Sequence, residues 1–180
     1  MISRPVEDVL EQVQRFVGNG GFELTLLGQN IDAYGRDISF KPGFAGLLER
    51  AAAVQGLKKI SFVTSHPADF SRDILRVMRD NPIISPYFHI PPQSGSDRIL
   101  KLMKRGYTRD AYLELAADIR KMLPEAELAG DIIVGFPGET DEDFSKTVSL
   151  VSEVRFQQLY VFKYSPREGT AAAESMEDDV

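Results

Sequence analysis

Five short apolar runs in this chain each end in a small polar cluster, and residues at helical spacing separate one run from the next. The runs cover 22–27, 59–63, 87–90, 128–134 and 158–163. Their clusters are Gly28-Gln29-Asn30, Thr64-Ser65-His66, Gln93-Ser94-Gly95-Ser96, Gly135 to Glu139, and Tyr164-Ser165. Apolar strands alternating with helical stretches predict a parallel α/β fold joined by right-handed crossovers. In such folds ligands gather beyond the carboxyl ends of the strands, where turns present side chains and free backbone N–H groups. One such cluster alone reads as an ordinary capped turn. Five on the same edge of a parallel sheet point to a small-molecule site assembled from strand ends.

The stretches between the runs carry their own start and stop signals. Pro5 followed by Val6, Val9, Leu10, Val13, Phe16 and Val17 predicts a helix, stopped by Gly18-Asn19-Gly20-Gly21. Phe44, Leu47, Leu48 and 51–54 predict a second helix, closed by Gly56, and a third is expected over 71–79. Another follows the serine-rich turn, and Thr108 caps one that runs to about residue 122. Thr140-Asp141-Glu142-Asp143 has the form of a capping box, with aspartate in the usual glutamate place, and opens a helix to about residue 154. The chain ends in 171–173 and an acidic tail, which suits a barrel or half-barrel cut from something larger as well as a complete protein.

Composition narrows the chemistry. With 180 residues, 43% of them apolar, the chain can bury a sizeable core, and length alone suggests a single domain. Cysteine is absent, so the chain has no disulfide, no zinc–thiolate site and no thiolate ligand for an iron–sulfur cluster. A formal net charge of -6 argues against holding nucleic acid by bulk electrostatics, and the basic stretches 36–41 and 101–105 are short and mixed. No apolar run approaches the ~18 residues that cross a bilayer, and the start lacks a signal-peptide pattern, so a soluble cytoplasmic protein is the expectation.

Individual residues suggest contacts and no reaction. Gln29 and Asn30 could hydrogen-bond an amine or a carboxylate, and equally could shape a turn. Asp131 lies within an apolar strand, so its carboxylate needs a partner, either a ligand hydroxyl or a neighbouring arginine. Arg105 suits a carboxylate through its planar fork, or stands as a helix C-terminal cation. His66, at a strand end, is a better site candidate than His89, which reads as a sheet residue; the two are not at metal-ligand spacing. No serine, histidine and acid form a hydrolytic set, and Gly135-Phe136-Pro137-Gly138-Glu139 is too short for a P-loop or a dinucleotide fingerprint.

A family resemblance goes further. Leu26-Leu27-Gly28-Gln29-Asn30, Thr64-Ser65-His66-Pro67, Pro92-Gln93-Ser94-Gly95-Ser96, Met103-Lys104-Arg105, Asp131 to Thr140, and Tyr164-Ser165-Pro166-Arg167-Glu168-Gly169-Thr170 resemble, in order, the radical S-adenosylmethionine core of the methylthiotransferases. The resemblance runs from about Ser3 to the last residue. It implies a partial parallel (β/α) barrel of about five strands, with the first strand and the cluster loop lying outside this chain. The first and third motifs are most similar to the branch that adds a methylthio group at C2 of N6-isopentenyladenosine beside the tRNA anticodon. The branches acting on a ribosomal-protein aspartate or on threonylcarbamoyladenosine stay open, as does a cluster-free nucleoside-binding or structural domain.

The resemblance implies S-adenosylmethionine and 4Fe-4S clusters as cofactors, and the tRNA anticodon stem-loop as partner of the parent enzyme. In that family one cluster binds the methionyl part and cleaves the cofactor reductively; the resulting radical abstracts hydrogen from adenine, and sulfur is inserted there. Carried onto this sequence, Gly28, Gln29 and Asn30 match the motif near the methionyl amine. Gln93, with Ser94 beside it, and Arg105 match contacts to the methionyl portion, Arg105 to its carboxylate. Ser65 and Asp131 match positions near the ribose, and Val134 and Gly135 the strand end beside the adenine. The family's cysteine triplet is expected shortly before Ser3, an amino-terminal domain earlier still and an RNA-binding TRAM domain after the last residue. A fragment without these is expected to be inactive alone.

Overall fold

The computed structural model describes residues 2–28, 30–63, 65–167, 169, 172, 173 and 176. Its elements follow the expected alternation: α1 (Val6–Gly18), β1 (Glu23–Leu27), α2 (Gly43–Ala52), β2 (Lys59–Val63), α3 (Arg72–Asp80), β3 (Tyr87–His89), α4 (Asp97–Leu102), α5 (Arg109–Met122), β4 (Glu127–Val134), α6 (Asp141–Val154) and β5 (Gln158–Lys163). A short 3-10 turn over Ile31–Ala33, which the sequence patterns did not suggest, follows β1. The residues cluster into two compact units, Met1–His89 with Ile119–Ala126, and Ile90–Asp118 with Glu127–Val180, where length alone suggested one core.

In the first unit β2 is the central strand. It pairs in parallel with β1 from Glu23↔Lys59 to Leu27↔Val63. On its other side Ile60 donates its N–H to the Ile83 carbonyl at 2.8 Å and accepts from Ser85 N–H at 2.7 Å. Flanked on both sides, Ile60 and Phe62 are almost wholly buried. Helix α1 buries Val6, Leu10 and Val13, the i, i+4, i+7 stripe of an amphipathic helix, and α3 buries Ile74, Leu75 and Met78. Aromatic rings tie these layers together. Phe44 meets Phe62 edge-on at 5.2 Å, Phe62 meets Phe88 at 6.3 Å, and Phe70 meets Phe88 at 5.9 Å, each a pair worth about 1 kcal/mol beyond its area.

In the second unit β4 takes the central place. It pairs in parallel with β5 from Ala129↔Gln158 to Val134↔Lys163, and on its other side with the 90–93 segment. There Ile90 N–H bonds the Ala129 carbonyl, Gln93 N–H the Asp131 carbonyl, and Ile133 N–H the Gln93 carbonyl, each at 2.9 Å. Leu128, Ala129 and Ile132 of β4 are buried, as are Ile99 and Leu100 of α4 and Leu150 and Val154 of α6. The Tyr112 hydroxyl satisfies the Ile90 carbonyl at 2.7 Å, so the buried phenol keeps a partner.

One strand departs from the sequence reading. The run at 22–27 reads as a buried strand, but Leu27 is 76% exposed and β1 alternates between half-buried and exposed positions. Tyr160, Val161 and Phe162 of β5 are also exposed. Among the described residues each of these strands has a ladder partner on one side only, and an apolar run cannot tell a central strand from an edge.

Candidate functional site

At the carboxyl end of β1 and β2 the first unit gathers a polar network. Asp32, in the 3-10 turn, is 7% exposed and accepts from the Ser65 hydroxyl at 3.3 Å and from the His66 backbone N–H at 2.8 Å. It thereby ties the loop after β1 to the loop after β2. Burial pushes its carboxyl up to about 6, against the pull of the His66 N–H and the Ser65 hydroxyl. Asp69 accepts from the Asn30 side-chain amide at 2.5 Å on Oδ2 and from the Arg36 guanidinium at 2.6 Å on Oδ1, and His66 Nδ1 lies 3.8 Å from Oδ2. Asn30 Oδ1 is buried and has no hydrogen-bond partner among the described residues. Gly28 and Asn30 also line a cavity of about 540 Å³ whose walls include Leu24, Leu26, Ile31 and Phe44.

The second unit builds its own strand ends. Gln93 holds a left-handed backbone, φ 64°, which costs a non-glycine residue about 1 kcal/mol, and its N–H and C=O are both locked to β4. The residues after it turn inward. Ser94 and Ser96 are each 1% exposed; Ser94 Oγ lies 3.3 Å from Thr147 Oγ1 and accepts from Ser96 N–H, while Ser96 Oγ donates to Asp143. Gly95 passes so close to α6 that an added Cβ would lie 2.4 Å from the Lys146 carbonyl oxygen. Asp143 also takes Arg98 and both donors of Thr140, and the Arg98 guanidinium foremost holds its carboxyl well below the ordinary carboxylate range.

Arg105 sits just past α4 rather than on it. Lys104 adopts the left-handed conformation, φ 55°, and Arg105 N–H reaches back to the Leu100 carbonyl at 2.9 Å, the Schellman closure of a helix. Its Nε is buried with no partner among the described residues. Beyond β4, Gly135 takes φ 67° and its N–H bonds Glu139 Oε2 at 2.6 Å, closing the turn on itself. Glu139 Oε1 and the Tyr164 hydroxyl are buried without a partner among the described residues, and the Tyr164 ring meets Phe136 edge-on at 5.1 Å.

The expected site residues therefore separate into kinds. Gly28, Asn30 and Ser65 share the strand-end region of the first unit; Gln93, Arg105, Val134 and Gly135 lie at strand or helix ends of the second. The Ser94 and Ser65 hydroxyls are buried and each has a protein partner, Thr147 Oγ1 and Asp32 Oδ1, as a buried serine hydroxyl requires. Asp131 is half-buried on β4 opposite Tyr160, and Gln29 lies outside the described residues. Sequence reasoning missed Asp32, Asp69 and Glu139. Asp32 stands only two residues beyond Asn30, the one signal that could have drawn attention to it.

Residues 1–151 match the model of the Radical SAM superfamily. The chain belongs to the radical SAM superfamily. Its radical SAM fold is matched over nearly its whole length by solved structures of low sequence identity. The coproporphyrinogen III oxidase of Escherichia coli aligns with a TM-score of 0.65 at 18% identity, covering 96% of this chain and 41% of that one. Methylornithine synthase aligns with a TM-score of 0.62 at 16% identity, over 97% and 48%. Both likenesses extend the parallel α/β reading to the barrel-type fold of radical SAM enzymes. Among curated proteins the chain is similar to tRNA-2-methylthio-N(6)-dimethylallyladenosine synthases. That of Moorella thermoacetica is 50% identical over 171 residues, 95% of this chain and 38% of the relative. Those of Thermotoga petrophila and Acetivibrio thermocellus are 47% and 49% identical over 99% of the chain, covering 40% and 37% of their own lengths. The chain thus spans about two fifths of the curated relatives it matches.

Proposed function

We propose that this chain is the S-adenosylmethionine-holding core segment of a cytoplasmic tRNA methylthiotransferase that modifies N6-dimethylallyladenosine. The observation that carries the reading is the identity of about half the residues, along 95–99% of the chain, with synthases of that name. A likeness of that depth spans every strand-end motif together rather than one turn.

The orphaned polar atoms suit the cofactor's chemistry. Among the described residues Asn30 Oδ1 of the first unit is an acceptor without a donor and Arg105 Nε of the second a donor without an acceptor, while the methionyl end of S-adenosylmethionine carries an ammonium and a carboxylate. In this reading Arg105 takes the carboxylate, Asn30 takes the amine with Gly28 and Gln29 beside it, and Gln93 adds a polar contact to the same portion. Asp131 serves a ribose hydroxyl, and Val134 with Gly135 forms the strand end against adenine. Ser65 and Ser94 act from behind, as supports of these loops. When bound, the cofactor supplies the radical that opens an unreactive C–H bond. The protein's part is to orient it and exclude water. The 4Fe-4S cluster does not fit this chain's own donors, because there is no cysteine to ligate it.

Replacing the matching segment of the Moorella thermoacetica relative with this chain tests the substrate. Mass spectrometry of tRNA nucleosides from cells relying on the chimera is expected to show 2-methylthio-N6-dimethylallyladenosine. A soluble chimera that leaves the nucleoside unmodified, or modifies threonylcarbamoyladenosine instead, would overturn the assignment.

A further inference from the structure

Among the described residues of the first unit's polar network, the Asn30 side chain is satisfied at one end and orphaned at the other. Its Nδ2 meets Asp69 Oδ2 at 2.5 Å, while Oδ1 is buried without a partner. A side-chain amide can present either end to a ligand, and only its fixed neighbour decides which. An ionised carboxylate accepts and cannot donate, so Asp69 leaves the amide one choice: nitrogen toward Asp69, oxygen away from it.

We propose that Asp69 is a positioning residue that locks the Asn30 amide with its oxygen turned away from Asp69, so that the protein takes an ammonium at that point and discriminates against a ligand lacking it. The inference rests on the reading of Asn30 as a cofactor contact and adds what sets its polarity. Asp69 is itself held. Arg36 binds Oδ1 at 2.6 Å, His66 approaches Oδ2 at 3.8 Å, and Asp32 fixes the His66 backbone at 2.8 Å. Burial opposes ionisation of Asp69, but the Asn30 amide, Arg36 and His66 outweigh it, and its carboxyl titrates below the ordinary range. The acceptor-only form is therefore the one present at neutral pH. Asp69 needs no contact with the ligand to act in this way.

Two measurements on the full chain test the proposal. The first is the affinity for S-adenosylmethionine against its analogue with hydrogen in place of the α-amino group. The unaltered protein is expected to favour the amine-bearing compound about tenfold, the worth of one charge-assisted hydrogen bond. Asp69→Asn, which lets the Asn30 amide turn either way, is expected to cut that ratio to about threefold or less, and Asp69→Glu to keep it. A ratio unchanged in Asp69→Asn overturns the positioning role. Loss of discrimination in Asn30→Ala supports the contact even where Asp69→Asn fails to fold. The second measurement is the side-chain amide resonance of Asn30 as pH is lowered. It is expected to move with the titration of Asp69, and a resonance indifferent to that titration overturns the locked orientation. An unaltered protein that binds both compounds equally, or neither, overturns the cofactor reading, while the resonance still judges the orientation alone.

Discussion

Asp32 shows how a single buried carboxylate couples two loops and makes their stability depend on pH. Its folded value, about 6, lies above the ordinary 3.8, so between those values the folded state binds more protons than the unfolded one. Stability therefore falls as pH rises through that window, and above it the buried charge is carried at full cost. Asp32→Asn removes the charge and keeps an acceptor for the His66 N–H. It is expected to raise stability at pH 7.5 by on the order of 2 kcal/mol, with the gain vanishing near pH 4, as urea midpoints at the two pH values would show. Equal gains at both would mean that desolvation of the charge is not the cause. Asp32 was not legible beforehand, since an aspartate in a loop is ordinarily a solvated turn former and only the folded neighbours bury it. Arg105 was legible as a side chain suited to a carboxylate. Its escape from the helix end was not, because that depends on Lys104 adopting a conformation that lysine rarely takes.

At the scale of elements, helix α6 was the most legible piece. Thr140 accepts from Asp143 N–H at 3.3 Å and the Asp143 carboxylate accepts from Thr140 N–H at 3.1 Å, the reciprocal box that the Thr140 to Asp143 spacing predicts. The same Asp143 also receives Ser96 and Arg98, so the cap of one helix anchors the serine turn before another. Thr140→Ala is expected to lower stability by about 1 kcal/mol, with a parallel drop in amide protection across the first turn of α6. If protection falls at Ser94 and Ser96 as well, the cap and the turn unfold as one element; if the stability loss is absent, the box is ornamental. The 3-10 turn at Ile31–Ala33 escaped notice because three residues carry no periodicity. The exposure of β1 escaped for a related reason: apolar spacing records which residues pack, and the ladder partner of a strand is a non-local fact.

For the whole molecule, strand and helix order was readable from 3 to about 163, because runs of apolar residues and the turns that end them are local signals that agreed with one another. The division into two compact units was not readable, since no linker composition marks it and the segment that changes unit, Ile119–Ala126, includes the end of α5. Placing polar strand ends on one type of edge narrowed the function to small-molecule binding, and the family's motifs carried it to a methionyl-bearing nucleoside cofactor. Arg105 Nε in the second unit is a buried donor, and Asn30 Oδ1 in the first a buried acceptor, without a partner among the described residues. The most direct measurement is calorimetric titration of the protein with S-adenosylmethionine, with Arg105→Ala beside it. Saturable binding at one site per chain, weakened about tenfold or more by Arg105→Ala, is the predicted result. Absence of saturable binding, or an affinity that Arg105→Ala leaves unchanged, would contradict it.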